Sequence, residues 1–378
     1  MPLGLADDDE PRRFCVPKDV GTNAGDAGVA PPQLGPALSS EDAESLMACV
    51  GPGELPNAWK QGLFFAGYQP YGLQQVEGGP CGVIAVAQAF LIRALLLRGA
   101  PVLEVDEKTR QEALVDAVCE ILFSNVGDGK RAFILLPSSA AAMPLSAAQL
   151  RCLQPAQFSS LEQMRHYLQQ RPYREALFSP SGCGLALLLY SLIWTRGTRG
   201  IRESDADDPK AAVMIGGHGY CTQELVNLMV FGRAYSNVFD GTKRLGSAKE
   251  GWAVLQGAPR RPSVGFLSLF EAFKCIEVGT RYKGPVSPIW VVCAESHYTT
   301  LFALDPTADP KDSESQIDLY YFDQLARQSE QIKLSVLPKR LPARLTTGFE
   351  EGESMIDRCI RTKWTAADVD WNGTEPIL

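Results

Sequence analysis

The sequence predicts an α+β fold in which a helical part precedes a mostly antiparallel sheet. Apolar residues recur at helical spacing through most of the first two thirds of the 378 residues. Short apolar runs rich in β-branched and aromatic residues follow one another in the last third. Helices and strands are thus segregated along the chain, which argues against an alternating α/β fold.

Helical and extended segments can each be placed by periodicity. The predicted helices are residues 39–50, 81–98, 109–123, 160–170, 182–194, 223–231, 266–276 and 354–363. The predicted strands are residues 132–136, 288–293, 298–304, 317–322 and 332–337. The apolar run at 183–194 is shorter than the ~20 residues that cross a bilayer, so it is predicted to be a buried core helix.

The N-terminal residues differ in composition from the rest of the chain. Residues 1–39 are rich in Gly, Pro and Asp, and Phe14 is their only aromatic residue. Such a segment cannot bury enough apolar surface to offset the entropy of ordering it. We therefore predict a disordered tail at 1–39 and one folded domain at 40–378.

The acidity of the chain is also concentrated near the N-terminus. Residues 1–55 contain ten acidic and three basic residues, a net charge of −7 out of the total of −8. With a pI of about 5.1 and no basic run, nucleic acid is not an expected partner. The nearly neutral remainder provides no acidic field to attract a basic protein.

Cysteine and histidine usage argues against a metal centre. The ten cysteines are widely spaced and form no Cys-x-x-Cys pair, on which zinc fingers and thioredoxin-type sites depend. Cys119 and Cys275 lie within apolar helical patterns and are predicted to be buried. The chain has only three histidines and no nucleotide-binding motif, so we expect neither a metal nor an organic cofactor.

The N-terminus gives an expectation about location. It is acidic and lacks an apolar core, so no signal peptide is predicted. We expect a cytoplasmic and/or nuclear protein with reduced thiols and no membrane association.

Cys81 is the candidate nucleophile. Gly78, Gly79 and Pro80 interrupt regular structure, and Cys81 then begins an apolar helix, where unpaired amides and the helix dipole stabilise a thiolate. The two glycines allow a substrate backbone to approach closely. Gln75 could donate its side-chain amide to an oxyanion beside the Cys81 amide. The local pattern alone favours a core residue that follows an ordinary turn slightly over a catalytic Cys81, because cysteines at loop-to-helix junctions are common.

His297 is the candidate base because it lies at the boundary between two predicted strands, where a sheet can present an imidazole to a cleft. Asp323 ends the strand after those two and could orient that imidazole. A packed core position remains open for His297. His166 lies on an amphipathic helix and is expected to be solvated, whereas His218 lies in a glycine-rich loop that forms a turn or contacts substrate.

The chain resembles the MINDY deubiquitinases, a family of cysteine proteases that cleave ubiquitin chains. The resemblance is carried by ordered blocks, and any one of them would be weak evidence. They are WKQGLFF (59–65), QVEGGPCGVIAVAQAFL (75–91), GHGYCTQELVNLM (217–229), SNVFD (236–240), FLSLFE (266–271), PIWVVCAESH (288–297), DLYYFD (318–323), CIRTKW (359–364) and WNGTEPIL (371–378). The last two resemble the C-terminal signature of the fourth MINDY subfamily.

The resemblance implies a variant of the papain-like fold, with Cys81 as nucleophile, His297 as base and Gln75 in the oxyanion hole. Asp323 is our own inference from strand position. The implied partners are ubiquitin and polyubiquitin chains, with a preference for lysine-48 linkages. Two alternatives remain open: a catalytically silent ubiquitin-binding protein of the same fold, and a thiol amidase or acyltransferase that acts on small molecules.

Overall fold

A computed structural model describes residues 29–126, 131–137, 146–247, 251–306, 315–338 and 353–376. Its helices are α1 (Ser40–Val50), α2 (Cys81–Leu97), α3 (Glu107–Ser124), α4 (Ala147–Leu150), α5 (Leu161–Leu168), α6 (Arg171–Phe178), α7 (Gly184–Arg196), α8 (Thr198–Gly200), α9 (Gln223–Phe231), α10 (Leu269–Ala272), α11 (Thr280–Lys283) and α12 (Met355–Lys363). Its strands are β1 (Gln33–Leu34), β2 (Ala132–Pro137), β3 (Leu153–Phe158), β4 (Thr242–Ser247), β5 (Gly251–Gln256), β6 (Gly265–Ser268), β7 (Ile289–Ala294), β8 (His297–Phe302), β9 (Ile317–Phe322), β10 (Ile332–Leu337) and β11 (Asp368–Asp370).

The main sheet has six strands in the order β11-β10-β9-β8-β7-β6. Every pair is antiparallel except β6 with β7, which run parallel. A three-stranded sheet, β1-β3-β2, and the β4-β5 hairpin lie outside it. The predicted α+β class is therefore confirmed.

Each face of the main sheet is covered by a helix. Val291 and Phe302 belong to the larger hydrophobic cluster, which also contains most of α2. Trp290 and Leu301 belong to a second cluster that contains the apolar residues of α12. Because neighbouring residues of a strand point to opposite faces, this division places α2 and α12 on opposite sides of the sheet.

Helix α2 lies deep in the protein because its sequence is apolar on all sides. Thirteen of the fifteen residues from Cys81 to Leu95 are apolar, which is not expected of a surface helix. All residues of this stretch except Arg93 are buried. It packs against α3 and α9 on one side and against β7 and β8 on the other. This packing brings the start of α2 next to the main sheet.

One predicted helix is wrong. Residues 266–276 are not a single helix, because β6 ends at Ser268 and only α10 follows. The hydroxyl of Ser268 accepts from the amide of Phe270 and caps α10. Phe266 and Leu267 are buried on opposite faces of the sheet, in the two different clusters. Pairing with β7 thus overrides the helical spacing of this segment.

The predicted tail is described only in part. Residues 1–28 lie outside the described residues, but β1, inside the predicted 1–39 segment, pairs with β3. Ser39 caps α1, with its hydroxyl accepting from the amide of Asp42. The domain limits at 39 and 40 remain a prediction. Across the described ranges, no helix is both long and apolar enough to span a membrane.

Candidate active site

Cys81 is the first residue of α2 and is almost completely buried, with 2% of its surface exposed. Gly79 has a φ of +130°, which favours glycine, and a Cβ atom there would lie 3.0 Å from the carbonyl oxygen of Gly219. Pro80 occupies the N-cap position and provides no side-chain cap. The turn therefore places the thiol at the start of a helix, where no capping side chain bonds to the backbone amides.

His297 is the first residue of β8, directly after the tight turn that joins it to β7. His297 pairs with Ala294 across this turn, and Glu295 within it has a φ of +55°. The Sγ atom of Cys81 lies 3.7 Å from the carbonyl oxygen of Ser296. The Cys81 thiol and the turn that carries His297 therefore meet, although they are 215 residues apart in the chain.

Asp323 follows β9 and holds the far side of the imidazole. Its Oδ1 atom is 2.9 Å from Nε2 of His297, and it also accepts from the backbone amide of Leu325 at 2.8 Å. The carboxylate is buried, and the backbone amide of Asp323 donates to the side chain of Gln328. Because Nε2 faces Asp323, the other ring nitrogen, Nδ1, is left for the thiol.

His297 is held between two groups that favour its charged form. Burial lowers the pKa of His297, but hydrogen bonds to Asp323 and Cys81, together with their negative charges, raise it to about 9. At neutral pH the ring is therefore held as an imidazolium. A cationic imidazolium next to a cysteine is one way in which proteins activate the thiol.

Gln75 is buried next to these residues. Its Nε2 atom donates to the carbonyl oxygen of Glu77 at 2.6 Å, and its backbone amide donates to the carbonyl oxygen of Gln324 at 2.9 Å. The structure thus brings together all four candidate residues of the sequence analysis: Cys81, His297, Asp323 and Gln75.

The other two histidines lie elsewhere. His166 is on α5, where its ring packs edge-on against Tyr167. His218 is exposed in the loop between the bridged residues Ile215 and Cys221. Cys119 is buried as predicted, but Cys275 is exposed because the predicted helix around it does not form. Within the described part of the chain, no group of three Cys, His, Asp or Glu side chains is placed to hold a metal ion.

Two features of the site were missed by the sequence analysis. The first is the loop at 216–220, which supports the turn before α2. The indole of Trp59 donates to the carbonyl oxygen of Gly219 at 2.9 Å, and the backbone amide of Cys221 donates to the carbonyl oxygen of Gly79 at 3.0 Å. Gln324 is the second, a buried glutamine directly after Asp323. The adjacent polar residues Asp323 and Gln324 at the end of a buried strand were the one sequence signal that could have indicated Gln324.

A thiol facing an imidazole that is backed by a carboxylate is the arrangement found in cysteine hydrolases. The chain matches the family model of the deubiquitinating enzyme MINDY-3/4 conserved domain over residues 53–373. It therefore belongs to the MINDY-3/4 family, and the resemblance seen in the sequence is confirmed.

Relatives from both subfamilies match. The probable ubiquitin carboxyl-terminal hydrolase MINDY-4 of Xenopus tropicalis is 37% identical over 337 residues, which is 85% of this chain and 43% of the relative. The human protein of that name is 39% identical over 321 residues, 82% of this chain and 41% of the relative. Ubiquitin carboxyl-terminal hydrolase MINDY-3 of Bos taurus is 32% identical over 274 residues, 65% of this chain and 60% of the relative.

The MINDY-4 similarity places the chain closer to that subfamily, although the chain spans only about two fifths of those relatives. No solved structure shows a significant match to this chain.

Proposed function

We propose that this chain is a deubiquitinase, a cysteine isopeptidase that hydrolyses polyubiquitin. The observation that carries the proposal is that the Cys81 thiol lies 3.7 Å from the carbonyl oxygen of Ser296, directly before His297, whose Nε2 atom is 2.9 Å from Asp323. Family membership and the names of the relatives, which are ubiquitin carboxyl-terminal hydrolases, support the substrate class. The papain-like description of the fold is part of the same proposal.

In the acylation step, the Cys81 thiolate attacks the carbonyl carbon of the terminal glycine of ubiquitin. A carbon–sulfur bond forms, and the carbonyl electron pair moves to the oxygen. The backbone amide of Cys81 and the side-chain amide of Gln75 stabilise that oxyanion. When the intermediate collapses, the carbon–nitrogen bond breaks and His297 gives its proton to the departing lysine amine.

In the deacylation step, His297 is neutral and accepts a proton from water. The water oxygen attacks the thioester carbon, the carbon–sulfur bond breaks, and Cys81 leaves as a thiolate beside the regenerated imidazolium. Asp323 holds the ring in position and stabilises its charge in both steps.

The linkage preference is a finer part of the proposal. We propose that lysine-48-linked chains are the preferred substrate, which family membership supports. Cleavage rates measured on chains of each linkage type test this part separately.

The main experiment compares Cys81→Ala with the wild-type chain. We expect the variant to lose cleavage of lysine-48-linked chains and adduct formation with a ubiquitin probe that carries a thiol-reactive C-terminus. Cys275→Ser is the matched control, because Cys275 is an exposed cysteine outside the site and should leave both reactions unchanged.

Two results would contradict the proposal. Undiminished cleavage by the Cys81→Ala variant would exclude Cys81 as the nucleophile. Ubiquitin binding by the wild-type chain without cleavage or adduct would indicate a silent ubiquitin-binding protein.

A further inference from the structure

Gln324 connects three parts of the candidate site through one side-chain amide. It is 3% exposed, and its Nε2 atom faces three acceptors. These are the carbonyl oxygen of Tyr298 at 2.5 Å, the carbonyl oxygen of Cys81 at 3.3 Å and Oε1 of Gln75 at 3.4 Å. The three acceptors belong to β8, which begins at His297, to α2, which begins at Cys81, and to the side chain of Gln75.

The orientation of this amide is determined by its surroundings. In the reverse orientation, Oε1 of Gln324 would face three oxygen atoms and repel all of them. In the observed orientation, no donor among the described residues reaches Oε1, which is buried. A buried acceptor without a partner is destabilising, so what this amide contributes is its set of donor contacts.

The same contact orients the amide of Gln75. Because Oε1 of Gln75 faces Nε2 of Gln324, the Nε2 group of Gln75 points the other way, toward Glu77. One of its two hydrogens goes to the carbonyl oxygen of Glu77 at 2.6 Å. The backbone bond from Gln75 to Gln324, 2.9 Å long, holds the two segments in register.

We propose that Gln324 is a positioning residue of the hydrolase. It turns the amide of Gln75 toward the developing oxyanion and ties the start of α2 to the strand that carries His297. This inference rests on the proposed function, because it assigns Gln324 a role in that same reaction. Gln324 does not touch the reacting atoms, so its effect passes through Gln75, Cys81 and β8.

The main test is Gln324→Glu. A carboxylate would face three acceptor oxygens and so disrupt the arrangement, whereas a protonated carboxyl carries one O–H donor and restores part of it. We expect kcat on lysine-48-linked diubiquitin to fall about 10–100-fold at neutral pH, with KM nearly unchanged. As the pH is lowered, the variant should recover relative to the wild type.

A second variant separates positioning from folding. Gln324→Met keeps a similar volume and removes both the donors and the unpartnered oxygen. We expect its thermal unfolding to change little while kcat falls about 10–100-fold at every pH. If Gln324→Glu does not fold, this variant still decides the question.

Gln88→Glu is the matched control. Gln88 is also a buried glutamine, on α2 itself, but its side chain bonds to the backbone of Tyr71 and Leu73 and to none of the four candidate residues. This control variant should be less stable than the wild type, but its kcat should not recover relative to the wild type as the pH is lowered.

The results distinguish this inference from the proposed function. If the wild type cleaves through Cys81 and the Gln324 variants keep wild-type kcat, only this inference is wrong. This inference is also wrong if the activity of the Gln324 variants is lost only because they unfold, or if the substitutions change only KM. If the wild type cleaves no ubiquitin chain and forms no adduct with the probe, both proposals are wrong.

Discussion

At the residue scale, the charge state of His297 controls the site. Its pKa of about 9 lies above its ordinary value of 6.5, with burial opposing the increase and bonds to Asp323 and Cys81 producing it. The protonated side chain therefore stabilises the fold. That stabilisation is fully present below about pH 6.5 and is lost as the pH rises through about 9.

Asp323→Asn should lower the pKa of His297, because it removes the negative charge of Asp323 beside the ring. We expect kcat/KM to fall on the order of 10²-fold and the alkaline limit of activity to move to lower pH. The pH dependence of kcat/KM measures both effects. With only three histidines in the chain, NMR titration can follow His297 directly, using His166→Gln as an assignment control. An unchanged alkaline limit would contradict the assigned role of Asp323.

At the scale of elements, the turn before α2 determines where the thiol lies. Its two glycines are not equivalent. Gly79 has a positive φ and lies close to Gly219, whereas a Cβ atom on Gly78 would have nothing within 4 Å. The notion that both glycines serve the approach of substrate is therefore too simple, because Gly79 is needed by the turn itself.

Gly79→Ala should disturb this turn, whereas Gly78→Ala should be tolerated. We expect the first change to lower the free energy of unfolding by about 1–3 kcal/mol and to slow labelling by the thiol-reactive ubiquitin probe. Chemical denaturation and labelling rates measure the two effects. Equal behaviour of the two variants would show that the backbone of Gly79 does not position Cys81.

At the scale of the whole molecule, the main sheet is shared by two hydrophobic clusters. Trp290 of β7 packs edge-on against Trp364, with ring centres 5.7 Å apart, while Val291 beside it faces the cluster of α2. A substitution that destabilises the α12 side of the sheet should therefore also destabilise the side that carries Cys81.

Ile360→Ala tests this connection, because Ile360 is fully buried in the α12 cluster. We expect the free energy of unfolding to fall by about 2–5 kcal/mol, and by about 0.5–1.5 kcal/mol for the milder control Ile360→Val. Near-ultraviolet circular dichroism and cleavage activity should be lost together in denaturant. Separate transitions would show that the two sides of the sheet unfold independently.

Much of the fold could be predicted from local pattern. Helix α9 and strands β9 and β10 have the predicted limits, since their periodicity agrees with their burial. The failures occur where pairing partners decide the structure. Residues 265–268 form a strand because β7 lies beside them, and β3, which contains Pro155, was not predicted because its pairing with β1 and β2 has no clear local signal.

The sequence by itself determined the chemistry that this protein can use. A cysteine at the start of an apolar helix and a histidine at a strand boundary are local patterns, and the ordered blocks identified the family. Only the tertiary structure decided that Cys81, His297 and Asp323 meet and that Gln324 joins them. These contacts link segments up to 249 residues apart, and they depend on how α2 packs against the sheet, which no local pattern specifies.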